Sequence, residues 1–222
     1  MRRLLTLVLV LVCVLPLAAR KKPKWALTKR PPQTVEIAGL KVTPAKLKCE
    51  SWAWAAGISD MLRTRGLPLK PGDLVIKAYA GEVCDDRLGD LARLAQVPAG
   101  DYVRDDGSKV RVEGRFTPGL SAPDDLIADV GRNLPLLLVW RSHPYLVRGV
   151  VYQELIAQTG EKQFQLIEIK LADAYDPAGQ VSFLTERDDP AEIQGTLDVS
   201  VTPEPGNDWL RQPTDWLHEK PK

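Results

Sequence analysis

"KCESWAWAAGISDMLRTRG", residues 48–66, is the stretch on which the fold turns. Apolar residues recur at Trp54, Ile58, Met61 and Leu62, the spacing of one helix face. Gly66 stops the pattern and Pro68 follows, so the spacing predicts a helix from about Glu50 to Arg65. Cys49 stands at the front of that helix, where the peptide dipole favours a thiolate. The chemical question is whether this sulfur is a free nucleophile or half of a cystine.

Upstream, residues 1–19 read as a secretory signal. Arg2 and Arg3 precede an apolar run from Leu4 to Leu17, and Ala18 and Ala19 follow it. The run is too short to span a bilayer comfortably. The chain is therefore expected to be exported, secreted or periplasmic, with no membrane attachment after the signal is removed. Residues 20–40 form a basic, proline-bearing linker, expected to be poorly ordered or to hug the surface. A single domain is expected over 41–202, with a tail from 203 to 222 carrying Trp209 and Trp216. The tail's role, packing back on the domain or contacting something else, is open.

Of 30 Lys+Arg, Arg2 and Arg3 leave with the signal, so 28 remain against 29 Asp+Glu. This near-neutral balance gives no field for nucleic acid or for an anionic membrane surface. Cys13 also leaves, and Cys49 and Cys84 remain. Two thiols in an exported chain point to one disulfide, though spacing alone does not establish it. Two cysteines 35 residues apart with distant histidines lack zinc-ligand spacing, so no metal is expected, and no cofactor either.

Downstream, helices are expected from Asp73 to Ala80 and from about Arg87 to Gln96. The period then changes. "DYVRDDGSKVRVEGRF" (101–116) alternates around Asp106-Gly107, a hairpin signal. A short helix follows, with Ser121 as candidate cap and Pro123 in its first turn. "PLLLVW" (135–140) is continuously apolar and reads as a strand buried on both faces. Strands follow over 143–152 and 163–173, and another near 196–201. Helices first and an antiparallel sheet second is an α+β pattern.

Thiol hydrolysis needs a cysteine at a helix N-terminus, a histidine that pairs with it, and an Asp or Asn that orients the imidazole. Four segments resemble such a machine in order: "WAWAAGISDMLRTRG" (52–66), "KPGDLVIKAYAGEVC" (70–84), "RSHPYLVRGVVY" (141–152) and "LADAYDPAG" (171–179). Across roughly residues 41–185 the chain resembles the papain-like cysteine peptidase superfamily, in its bacterial branch related to bacteriocin-leader peptidases. The resemblance implies a papain-like fold, an N-terminal helical half followed by an antiparallel sheet.

It also implies roles. His143 takes the catalytic histidine's place. Asp173 and Asp176 compete for the orienting position. Asp173 continues the face of Ile167, Ile169 and Leu171 and is preferred; Asp176, beside Pro177, suits a turn. The nucleophile is where the pattern fails. Equal-length matching puts Ala53 there, and a methyl group attacks nothing. A shifted match would put Ser51 there. Cys49 lies one helical turn ahead of Ala53, about 6 Å along the axis, while a base must come within about 3 Å. The superfamily also carries a structural half-cystine about one turn ahead of the nucleophile, paired some forty residues on. Cys84 fits that partner, and the closed loop would contribute about 3–4 kcal/mol in the chain-entropy model. The expected oxyanion-stabilising glutamine, about six residues before the nucleophile, is absent: Leu47 stands six before Ala53 and Thr43 six before Cys49.

Two functions follow. One is an exported, catalytically degenerate papain-like protein that binds peptide or protein segments. The other is an active thiol hydrolase, a peptidase or acyl-transfer enzyme, with Cys49 as nucleophile, His143 as base and Asp173 as orienter. Whether the chain is an enzyme depends on the state of Cys49.

Overall fold

The computed structural model describes residues 28–40, 42, 47–84, 89–173, 175 and 180–204. The signal, Asp176, His218 and the tail residues Trp209 and Trp216 lie outside them.

Helix α1 spans Ala53–Thr64 and is entered through a 3₁₀ turn, Glu50–Trp52. Every residue from Ala53 to Leu62 is buried. The small side chains of Ala53, Ala55, Ala56 and Gly57 let neighbours close on several sides of it. At Gly57 a Cβ would run into the Leu137 side chain, so the helix can approach the sheet only because that position is glycine. Helix α2, Pro71–Tyr79, begins with proline in its first turn and ends at Ala80 in the left-handed region. Helix α3, Leu91–Gln96, is capped by Asp90, whose carboxylate accepts from the Ala92 and Arg93 amides. Helix α4, Pro123–Gly131, has Ala122 as its N-cap. Ser121 does not cap it, and its hydroxyl lies 3.3 Å from that of Thr196.

Among the described residues nine strands form one sheet: β1 (Thr28–Lys29), β2 (Gln33–Glu36), β3 (Gly100–Val103), β4 (Lys109–Pro118), β5 (Leu136–Trp140), β6 (His143–Ile156), β7 (Lys162–Ala172), β8 (Gln180–Leu184) and β9 (Ile193–Pro203). The order is β3-β4-β9-β5-β6-β7-β8, with β1 and β2 also on β6, and every pairing is antiparallel. The hairpin from β3 to β4 turns at Asp106-Gly107, with Gly107 at φ +80° and the Asp106 carboxylate accepting from the Ser108 amide at 2.9 Å. The last strand, β9, sits between β4 and β5, so the end of the described chain closes the middle of the sheet.

A helix-containing N-terminal part followed by a large antiparallel sheet is an α+β architecture. The sheet has a core on each face. Leu137 and Val139 of β5 face the helical core with Trp54, Ile58, Leu62 and Leu74. Leu136, Leu138 and Trp140 face the second core with Leu126, Val150, Ile169 and Phe183. All five β5 residues are buried, as a continuous apolar run requires. Within the basic linker, residues 28–29 and 33–36 are strands paired along β6, so this part of it hugs the sheet in register.

Candidate functional site

Strand register builds one wall of the site. Leu146 of β6 pairs with Ala172 of β7. One step further brings Asp173 alongside Tyr145 and diagonal to His143, within reach of polar side chains. His143 Nε2 lies 3.0 Å from Asp173 Oδ2, and both side chains are largely buried. This is an ion-pair distance rather than an aligned hydrogen bond, because the ring N–H does not point along the line. The other carboxylate oxygen of Asp173 accepts from the Tyr175 amide at 2.8 Å, which fixes its rotation. The Tyr145 ring lies 4.7 Å from the imidazole, centre to centre. Burial, reinforced by the Asp173 charge, raises the Tyr145 phenol above its ordinary pKa; Arg141 opposes and Glu50 adds a smaller push.

The turn before His143 is strained. Arg141 and Ser142 join β5 to β6 with φ +52° and +62°, a two-residue turn that normally favours Asn and Gly. Glu192 pins it. Its carbonyl accepts from the Arg141 amide at 3.2 Å, and its carboxylate takes Arg141 Nε at 2.7 Å and Trp140 Nε1 at 3.3 Å. The Arg141 guanidinium lies over the Trp140 ring, 4.7 Å from its centre.

The turn leading into α1 builds the opposing wall. Cys49 and Cys84 are joined by a disulfide with their Cα atoms 6.0 Å apart. Two more ties run beside it. Trp52 Nε1 donates to the Val83 carbonyl at 2.8 Å, and Lys48 Nζ lies 3.0 Å from Glu82 Oε2. In this oxidised form Cys49 has no thiol to ionise. Ser51 donates to Cys49 Sγ at 3.4 Å rather than to the imidazole. Ala53 is 1% exposed. The side chain that does face the imidazole is Glu50, with Oε1 3.7 Å from His143 Nδ1.

The imidazole thus lies between two carboxylates, Glu50 at Nδ1 and Asp173 at Nε2. Its neighbours among the described residues are these two carboxylates and the Tyr145 ring, with Cys49 held in the disulfide. Among the described residues no three or more His, Cys, Asp or Glu side chains have the arrangement of a metal site. No described helix is long and apolar enough to cross a membrane. Two clefts, of about 620 and 420 Å³, lie elsewhere and include neither His143 nor Asp173 in their walls.

The structure brings Cys49, Glu50, His143 and Asp173 into one neighbourhood through separate elements. Glu50 escapes sequence reasoning because an acid in a first helical turn already has a sufficient role against the dipole. Tyr145 carries a readable signal: it is two residues from His143 on the same strand and so on the same face. Comparison of the chain with protein-family models and with curated proteins returns no match.

Proposed function

We propose that this chain is an exported protein with a papain-like fold that has given up thiol chemistry and uses the surface around His143 to bind peptide or protein segments. The observation that carries this reading is the state of the helix wall. The cysteine is spent in the disulfide with Cys84, Ala53 fills the position matched to a nucleophile, and Glu50 faces the imidazole instead. The His143–Asp173 pair supports descent from a hydrolytic site, since the two groups stand in the base-and-orienter relation. A disulfide is the chemistry of an oxidising compartment, which accords with a removed signal at residues 1–19.

The test is the peptide-level mass of the mature, unreduced protein with and without a thiol alkylator. The expected result is one cross-linked peptide holding Cys49 and Cys84, with no alkylator taken up. Rapid alkylation of Cys49 at neutral pH, with Cys84 slow, would instead support the active thiol hydrolase with His143 as base. Binding is read separately: a reduced, alkylated unfolded protein should shift the His143 ring resonances, and no shift at saturating probe removes the binding role.

A further inference from the structure

Among the described residues, three buried side-chain nitrogens lack an aligned hydrogen-bond partner: Arg65 Nε, Arg104 Nε and His143 Nε2. Asp173 accounts for the last. The other two sit together at the opposite end of α1, about 18 Å away along a 12-residue helix. Arg65 is the residue that closes the helix, and Arg104 Nη2 donates to its carbonyl at 3.0 Å. Arginine at a helix C-terminus is favoured by the dipole, which explains its presence there but leaves the buried Nε unsatisfied. Burial alone holds the Arg65 pKa below its usual value, with no carboxylate compensating. The group stays charged all the same, as guanidinium does in proteins.

Arg65 opens onto the cleft of about 620 Å³ between β4, β9 and the connection from α4 to β5, a volume within the usual range for small-ligand sites. Arg115 and Arg132 also line it, as do Glu113, Asp129 and Asp198. Arg115 is neutralised by Asp198 at 3.0 Å and Arg132 by Asp129 at 2.7 Å. Among the described residues Arg65 is the arginine of this wall that makes no ion pair. The adjoining wall is apolar, formed by Leu134, Pro135 and Leu136.

We propose that this cleft binds a peptide by its C-terminal carboxylate, with Arg65 as the anchor. A monoanion satisfies the one uncompensated guanidinium, and the fork geometry of arginine suits a carboxylate. A phosphate dianion fits worse, because three carboxylates share the lining and would repel the second charge. Those same carboxylates accept hydrogen bonds from peptide N–H groups. Leu134, Pro135 and Leu136 receive the terminal apolar side chain. The cleft continues into the second one, of about 420 Å³, which shares Arg115, Asp129, Arg132 and Asp198 and gives the preceding residues a path.

The experiment is an NMR titration of the intact protein, following the Arg65 Nε–H. The probes are a leucine-terminated tetrapeptide with a free carboxylate, the same peptide as its C-terminal amide, and inorganic phosphate. The free acid should shift the Arg65 signal and saturate, the amide should bind at least about tenfold more weakly, and phosphate should compete poorly. Arg65→Gln should weaken the free acid by at least about tenfold, and Arg65→Lys, which keeps the charge and loses the fork, by less. The mutants' amide spectra report whether the fold survives. Equal binding of acid and amide, unchanged affinity in Arg65→Gln, tighter binding of phosphate, or no shift at Arg65 with any probe overturns the proposal. Each of these outcomes leaves the reading of the His143 site untouched.

Discussion

The two walls of the His143 site are held by different means. The sheet wall owes its geometry to backbone register: ten residues of β7 pair with β6, and His143 and Asp173 fall where that ladder ends. The helix wall owes its geometry to cross-links: the Cys49–Cys84 disulfide, the Trp52–Val83 hydrogen bond and the Lys48–Glu82 pair. Register resists single substitutions, because each ladder bond is backed by its neighbours. A wall made of three side-chain ties can change its chemistry without disturbing the other. The present arrangement fits that: the His143–Asp173 pair faces a turn in which a carboxylate stands and the sulfur is oxidised.

The largest expected effect comes from cutting the helix wall. Replacing Cys49 and Cys84 together by serine should lower stability by about 3–4 kcal/mol, read from urea unfolding of the oxidised parent and the variant. A loss under about 1 kcal/mol would mean that the other two ties suffice. Acid should attack the sheet side instead. The buried Asp188 carboxylate is held below the usual range, first by its bond to Arg187 and then by the Leu184 amide, at 2.9 and 2.8 Å. A depressed folded pKa contributes stability above the unfolded value near 4, and that contribution is lost as pH falls through the folded one. Asp188→Asn should therefore cost about 1–2 kcal/mol at pH 7 and flatten the acid limb of the stability curve. An unchanged limb would assign acid sensitivity to other carboxylates.

A smaller effect, of opposite sign, is expected at the strained turn. Ser142→Gly should raise stability by about 0.5–1 kcal/mol, since glycine accepts φ +62° without steric cost. A fall would mean that the Ser142–Gln194 contact at 3.3 Å outweighs the strain. The least effect is spectroscopic. Tyr145 should ionise above pH 10 in an ultraviolet titration, and Asp173→Asn should bring its pKa down, leaving the shift due to burial. With its folded pKa raised, Tyr145 contributes stability below pH 10 that is lost as pH rises through the folded value. No response to Asp173→Asn would mean the carboxylate's field does not reach the ring.

Elements with their own periodicity were legible in the sequence: α1, α2, α4, β5, β6, β7 and β9 all carry apolar residues at the spacing of their type. β2 was not. "QTVE" has one partly buried residue, Val35, and is a strand because β6 supplies an edge. β8 was missed as well, five residues whose signal rests mainly on Phe183, fully buried in the second core. Ser121 has the chemistry of a cap, yet tertiary contact with Thr196 claims its hydroxyl. At the site, it was the family resemblance and not the residues alone that pointed to His143 and Asp173, and no pattern along the chain says that Glu50 would turn toward the imidazole. That depends on the ties of Cys49 to Cys84 and of Trp52 to Val83, whose far ends lie outside any local window.

Gly57 governs the phase of the whole arrangement. Cys49 and Ala53 are four residues apart, so a slip of α1 by one turn would carry the cysteine's segment to the level that Ala53 now occupies. The same slip would bring Ala53 to the level of Gly57, where its Cβ would run into the Leu137 side chain. A glycine remote from the imidazole thus acts as an indexing notch, fixing which residue of the chain meets His143 and which does not.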